Sequence, residues 1–172
     1  PGARGLFYDP CFLALVAAAY AVVAFQDDRF SPVQSHTVTS VLKTRSPELW
    51  SQDPLFGDAG RWKLYPPVNR RLLGATMDVL GTDRPLLPFR LAIGPMTFLY
   101  LCGMYLLLLR QCRSWAAAVF VAMLSTRVVE ALGQAFWGIG SLASATPEGL
   151  FVAATPWLLL AYLRLEPTRA RP

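Results

Sequence analysis

Two long stretches of this sequence contain no charged residue. They are residues 11–25 (CFLALVAAAYAVVAF) and residues 91–109 (LAIGPMTFLYLCGMYLLLL). Each approaches the roughly 20 apolar residues that cross the hydrocarbon core of a bilayer. Charged residues are only 16% of the chain and cluster between the apolar stretches, whereas an amphipathic surface helix alternates polar and apolar residues. The pattern therefore predicts helices that face lipid or other apolar helices.

Two weaker apolar stretches follow, one containing Arg127 and Glu130, the other interrupted by Pro156 and Arg164. The hydrophobic content of 54% exceeds that of most soluble domains. We therefore expect an all-α, polytopic membrane protein forming a single transmembrane region. About four transmembrane helices are predicted, near residues 6–25, 91–109, 115–132 and 149–165.

The first apolar stretch has a second interpretation. Ala19, Tyr20 and Ala21 resemble the small-residue cleavage site of a secretory signal peptide. Either interpretation leaves the following loop on the same side of the membrane, because both carry the chain across once.

Arginines beside the short loops indicate the orientation of the helices. With a cytoplasmic N-terminus, every inner segment is basic, as the positive-inside rule requires; these residues are Arg4, Arg110, Arg113, Arg164, Arg169 and Arg171. The loop 26–90, at about 65 residues, is long enough that its own charge has little influence on topology. The net charge of +5 is then explained without a nucleic-acid partner, since no RNA- or DNA-binding motif accompanies it.

The external loop 26–90 is predicted to carry two short juxtamembrane helices. Residues 33–44 have helical character, and Pro and Gly residues break up the connector 46–60. Residues 68–80 form an amphipathic pattern that is typical of an interfacial helix, with Arg70 and Arg71 near lipid headgroups. The three tryptophans beside the later apolar stretches are expected to anchor helices at the membrane surface; they are Trp115, Trp137 and Trp157.

The cysteines indicate no disulfide framework. Cys11, Cys102 and Cys112 lie in or next to the apolar stretches, so they cannot pair within the external loop, and we expect them to pack as small apolar residues. The chain opens at Pro1 without Met and closes in a tail rich in Pro and Arg. We therefore expect it to be a fragment of a longer membrane protein, with further helices as its partners.

An acidic pair, Asp27 and Asp28, follows the first predicted helix, and the long external loop after it carries the two short helices. Three strings accompany these features, namely residues 53–58 (DPLFGD), 65–67 (YPP) and 136–142 (FWGIGSL), together with Pro147. Together they resemble the N-terminal part of uncharacterised bacterial polytopic proteins related to GT-C-type glycosyltransferases.

The resemblance implies a fold, a site and a substrate class. GT-C enzymes use sugars linked to a lipid phosphate, such as polyprenyl phosphate, and place a catalytic Asp or Glu in the first external loop. Carried onto this chain, Asp27 or Asp28 would be the catalytic base. The chain would then be the N-terminal membrane portion of a glycosyltransferase at the outer face of a bacterial inner membrane, with its long loop periplasmic. The alternative is a non-catalytic protein, either half of a transporter or a scaffold whose loop binds partners.

The chemistry of such a site can be stated from the residues. Glycosyl transfer with inversion needs a carboxylate to accept the acceptor's proton, and a lipid-phosphate leaving group needs positive charge or a divalent metal ion. Arg29 and Arg70 could meet a phosphate bidentately. We also place Tyr65 among the candidate substrate-binding residues. The alternative is that the acidic pair merely ends a helix at the headgroups.

Three further features are candidates for the site. His36 is the only histidine and has no second imidazole with which to hold a metal ion, so a polar-face position competes with a binding role. Asp53 and Asp58 could hold a divalent cation or could serve turn geometry. Arg127 and Glu130 are three residues apart on one predicted helix and can pair. That pair is either a structural ion pair or part of a substrate site.

Overall fold

The computed structural model is helical throughout the part of the chain that it describes. It describes residues 5–26, 31–53, 57, 67–112, 114–128 and 139–165, and the side chains of 5–9, 127–128 and 143 lie outside this description. Six α-helices are present, with no β-strand among these residues: α1 (Gly5–Gln26), α2 (Pro32–Arg45), α3 (Pro67–Val79), α4 (Leu86–Cys112), α5 (Trp115–Val128) and α6 (Pro147–Leu165). The predicted all-α class is confirmed.

The chain divides into two compact units. One unit comprises Pro1–Asp27 and Arg90–Pro172, and the other comprises Asp28–Phe89. The first unit is a bundle of the apolar helices α1, α4, α5 and α6, and we call it the helical bundle. The second contains α2 and α3, and we call it the loop unit because it occupies the predicted external loop.

Helices in the bundle alternate in direction. Leu13 of α1 packs with Leu101 and Tyr105 of α4, whereas Ala21 of α1 lies against Gly94 of α4, so these two helices are antiparallel. By the same comparison α1 and α5 are parallel, because Leu13 packs with Ala118 and Ala122 while Tyr20 binds Thr126. Helices α4 and α6 are also parallel, because Met96 packs with Ala153 and, further along both helices, Gly103 lies against Trp157. An alternating order of this kind is what successive membrane crossings require.

The outer surface of the bundle is apolar. Large side chains on all four helices are exposed, among them Leu15 (71%), Val23 (62%), Phe120 (63%) and Phe151 (63%). Large exposed apolar patches mark surfaces that meet lipid, a ligand or another protein. Several hydroxyl side chains are buried instead, namely Thr97, Thr126, Ser144 and Thr146. This distribution is the one expected of helices whose surroundings are as apolar as their interior.

Two helices are long and apolar enough to cross a membrane. They are α4, with 27 residues, and α6, with 19 residues. The apolar parts of α1 and α5 whose side chains are described, Pro10–Gln26 and Trp115–Thr126, are shorter. Length and composition therefore identify two possible membrane crossings among the described residues. Of the four predicted crossings, those by α1 and α5 stay a prediction.

Helix α4 begins earlier than the sequence predicted. It starts at Leu86 instead of Leu91 and continues through Arg90, so the polar loop is correspondingly shorter than residues 26–90. Pro88 lies in the first turn, where a helix needs no intrahelical N–H donor. The charge is accommodated because the Arg90 guanidinium lies over the Phe25 ring, 6.0 Å from its centroid.

Helix α6 is not interrupted at its proline or its arginine. It begins at Pro147 and runs through Pro156 and Arg164 to Leu165. Pro95 is likewise inside a continuous α4. The helix predicted near residues 149–165 is therefore present, and Pro156 is buried within it.

The loop unit is built on a pair of helices that share a small apolar core. Val38 and Val41 of α2 pack with Leu73 and Met77 of α3. The observed ends of α2 and α3 lie within one residue of the predicted helices 33–44 and 68–80. Phe89 also packs against this core, so the unit reaches the start of α4.

Candidate functional site

Buried and half-buried hydroxyl groups in the bundle form two hydrogen-bonded pairs. The Tyr20 hydroxyl of α1 lies 2.8 Å from Thr126 Oγ1 of α5. The Tyr100 hydroxyl of α4 donates to Ser125 Oγ, also on α5, at 3.0 Å. Each pair joins two helices, and each lets a polar group avoid unpaired burial. Three helices thus contribute to one polar cluster, which we define as Tyr20, Thr97, Tyr100, Ser125 and Thr126.

Thr97 is the member of the polar cluster whose hydroxyl is not satisfied. Its side chain is fully buried, and Oγ1 has no hydrogen-bond partner among the described residues. Thr97 lies three residues before Tyr100, so the two side chains share a face of α4. An unpaired buried hydroxyl typically costs about 1–3 kcal/mol, and it marks a place where a polar group could be accepted.

The cluster lies toward the ends of α1 and α5. Tyr20 is in the last two turns of α1, which ends at Gln26, and Thr126 is in the last turn of α5, which ends at Val128. Because α1 and α5 are parallel, both ends are at the same end of the bundle. We call this end the distal end.

The predicted charged residues follow these two helix ends in the chain. Asp27, Asp28 and Arg29 come directly after α1, and they lie outside the described residues, as does Glu130 beyond α5. The backbone of Arg127 is in the last turn of α5, but its side chain is outside the description. The predicted pairing of Arg127 with Glu130 stays a prediction.

A short segment after α5 packs on the polar cluster. Gly140 has a φ of +101° and lies directly against the ring of Tyr20, where a Cβ would collide with it. Ser144 donates to the carbonyl of Ser141 at 2.6 Å within a short 3-10 helix, Leu142–Ser144. Leu142, Ser144 and Thr146 are buried. The string FWGIGSL thus contributes, through Gly140, a close backbone contact beside the cluster.

The loop unit contains an ion cluster that sequence reasoning missed. The Arg45 guanidinium at the end of α2 pairs with the carboxylate of Asp78 on α3 and lies 3.6 Å from that of Asp83. It also donates to the carbonyl of Gly74 at 3.3 Å. Because these groups are largely exposed, the pair contributes modestly, about 0.2–1 kcal/mol. A basic last turn in α2 and an acidic residue in α3 were visible signals, but the pairing depends on how the two helices pack.

His36 and Arg70 lie on different helices of the loop unit. His36 is exposed and lies on the face of α2 opposite Gln34 and Val38, which are buried. Arg70 is in the first turn of α3 and is half-buried, three residues before the buried Leu73. Tyr65 lies outside the described residues. Arg71, which neighbours Arg70, is exposed.

The described residues offer no cluster of metal ligands. No three His, Cys, Asp or Glu side chains within the described ranges lie close enough together to hold a metal ion. Asp53 is half-buried, and Asp58 is outside the description. The divalent metal considered from the sequence therefore has no donor set among the residues whose positions are described.

No protein-family model, no curated protein and no solved structure matches this chain.

Proposed function

We propose that this chain is the membrane portion of an enzyme that transfers a sugar from a lipid phosphate at the outer surface of a bacterial inner membrane. In this proposal α1, α4, α5 and α6 cross the bilayer, the N-terminus is cytoplasmic, and the loop unit lies on the periplasmic side. Further helices of a longer protein would complete the fold. The donor would be a polyprenyl-phosphate sugar, and no nucleic acid would be bound.

The polar cluster at the distal end is the observation that carries the proposal. The cluster brings five hydroxyl side chains from three helices together, of which Thr97, Tyr100 and Thr126 are buried and the other two are half-buried. Polar groups within membrane helices commonly belong to functional sites. In sequence, Asp27 and Asp28 directly follow α1, and Arg127 is in the last turn of α5. A carboxylate, a guanidinium and hydroxyl groups are the groups that sugar transfer from a phosphate requires.

The surface of α3 supports a position at the membrane surface. Val68, Leu72 and Val79 are exposed at 70%, 55% and 87%, and their spacing places them on one face of the helix. Arg71 lies at the edge of this stripe. An apolar stripe edged by arginine is typical of a helix lying at the lipid headgroups, where Arg71 would meet phosphate.

The proposed mechanism assigns one role to each charged group. Asp27 or Asp28 accepts the proton of the acceptor hydroxyl as that oxygen attacks the anomeric carbon. Arg29 and Arg70 stabilise the phosphate that leaves with the lipid. His36, Tyr65, Arg127 and Glu130 are assigned to substrate binding. Because the sugar and the lipid phosphate meet at the membrane surface, positioning supplies a large part of the acceleration.

The test is to replace the acidic pair in the full-length protein. Asp27→Asn, Asp28→Asn and the double variant keep the shape of the side chain but remove the base. With a polyprenyl-phosphate sugar as donor, we expect turnover to fall about 10²-fold to 10⁴-fold in at least one single variant. Glu48→Gln, at an exposed position of the connector, is the matched control and should retain the parent rate. If all the Asn variants retain that rate, the acidic pair is a solvated helix end and catalysis by it is excluded.

The alternative function is a scaffold whose loop unit binds another protein. The exposed stripe on α3 favours it as well, because Val68, Leu72 and Val79 could meet a partner instead of lipid. If the chain is a scaffold, a partner protein should bind the loop unit equally well in the parent protein and in the variants at Asp27 and Asp28. The other alternative, half of a transporter, has less support, since α4 and α6 continue through Pro95 and Pro156 and are not the broken helices of such sites.

A further inference from the structure

A groove between α4 and α6 lies at the end of the bundle opposite the distal end. It has a volume of about 310 Å³ and is lined by Leu106, Arg110, Trp157, Leu160, Ala161 and Arg164. Its two arginines come from the last turns of two parallel helices. The groove thus carries two cationic groups at one end and four apolar or aromatic side chains along its length.

The order of these residues makes the groove amphipathic along its axis. On α4, Leu106 precedes Arg110 by four residues, and on α6, Trp157, Leu160 and Arg164 follow one another at spacings of three and four. Residues at such spacings share a face of a helix. Trp157 and Arg164 are separated by roughly 10 Å along the helix axis. Both helices therefore present an apolar wall that ends in an arginine, and both walls run in the same direction.

Neither arginine is neutralised within the described part of the chain. Arg110 and Arg164 are exposed, and no described carboxylate forms an ion pair with either, since the ion pairs present involve Arg45. Arginines beside a membrane helix also satisfy the positive-inside rule without any ligand. That rule does not require two of them to converge on one apolar groove.

We propose that this groove binds an anionic phospholipid, with its phosphate between Arg110 and Arg164 and an acyl chain along Leu106, Trp157 and Leu160. Guanidinium groups match phosphate oxygens bidentately. A free phosphate would use the arginines and leave the apolar wall without a role, so a diacyl lipid accounts for both parts of the groove. Basic pockets between membrane helices are known to hold anionic headgroups. The proposal rests on the membrane location of α4 and α6 given above and does not depend on sugar transfer.

The test measures lipid binding to the purified full-length protein. In a zwitterionic detergent, we titrate phosphatidylglycerol, phosphatidylcholine and inorganic phosphate and detect bound lipid by mass spectrometry of the intact complex. Phosphatidylglycerol should bind saturably and displace phosphatidylcholine. The double variant Arg110→Gln, Arg164→Gln should bind phosphatidylglycerol roughly 30-fold more weakly, at about 5-fold for each basic contact. Arg84→Gln, at an exposed arginine of the loop unit, should change nothing.

Three outcomes would overturn the lipid site. They are equal binding of the two lipids, unchanged binding by the double variant, and competition by inorganic phosphate at the same concentration as lipid. Leu106→Trp, which fills the apolar part of the groove and keeps both charges, should also weaken lipid binding. Far-ultraviolet circular dichroism identifies any variant that fails to fold. A protein that does not sediment with membranes overturns the membrane location instead, so the two failures are distinguishable.

Discussion

Gly103 permits a close approach of α4 and α6. A Cβ at this position would lie 2.7 Å from Trp157 Nε1 and 2.9 Å from Pro156 Cβ. The absence of a side chain lets the Trp157 indole N–H donate to the carbonyl of Leu99 at 2.8 Å. Small residues at helix crossings are the usual means by which membrane helices pack tightly. Gly103 therefore fixes the contact between α4 and α6.

We predict that Gly103→Ala destabilises the bundle. The added methyl group forces Trp157 to move, and overpacking of this kind costs about 1–3 kcal/mol. The measurement is thermal unfolding in detergent. Gly74→Ala is the matched control, because the nearest atom to its Cβ, on Val41, is 4.0 Å away, and alanine favours a helix over glycine by about 1 kcal/mol. Equal midpoints for the two variants would show that the contact at Gly103 adapts without strain.

Individual roles could be predicted only where they depend on neighbours in sequence. Trp157 was interpreted as an anchor at the membrane surface, yet its indole binds the backbone of α4. Arg45 was not singled out, yet it joins α2 to α3. Both roles depend on which residue of another helix stands opposite. A single sequence contains no information about that pairing.

Helix boundaries in the loop unit were predictable because local chemistry sets them. Ser31 caps α2, its Oγ accepting from the Gln34 N–H while the Gln34 side chain accepts from the Ser31 N–H. Gly81, with a φ of +57°, ends α3, and the Thr82 N–H donates to the Met77 carbonyl at 3.1 Å. The start of α4 was missed, because hydropathy locates the apolar stretch and not the first hydrogen-bonded turn.

The core shared by α2 and α3 leads to a prediction about the loop unit. Met77→Ala should destabilise it by about 2–5 kcal/mol, since the side chain is 1% exposed and the cavity left behind relaxes only partly. Val79→Ala, on the exposed stripe, should change its stability by less than about 0.5 kcal/mol in detergent. Hydrogen exchange of peptides from α2 and α3 in the full chain measures the difference. Similar exchange in both variants would mean that this core does not hold the two helices together.

Across the whole molecule, a length sufficient to cross a membrane was predictable for part of the bundle. Length and composition identify α4 and α6 as long and apolar enough to cross a membrane, while crossings by α1 and α5 stay a prediction. The all-α class and the apolar stretches could be predicted because both follow from amino-acid composition and the hydropathy pattern. The polar cluster could not, since Tyr20, Tyr100 and Ser125 lie on three helices and look like ordinary residues in each.

Thiol labelling tests the orientation of the chain. In a variant without Cys11, Cys102 and Cys112, a cysteine at Ser51 should react with an impermeant maleimide in intact cells, whereas one at Ser114 should react only after lysis. A cysteine at Ala59 should behave as at Ser51. Ser51 and Ser114 are both exposed in the structure, so the difference would report the membrane and not burial. Reversed labelling would contradict the proposed topology.

The small core of the loop unit has a consequence for biosynthesis. Among the described residues, the hydrophobic core formed by Val38, Val41, Leu73 and Met77 includes Leu42 and Phe89 at its edge and extends no later in the chain than Phe89. That core is complete in sequence once the ribosome has added Phe89, before most of α4 exists. Domains generally fold as units during synthesis. The folding of the loop unit can thus be separated in time from the assembly of the helices that follow it in the chain.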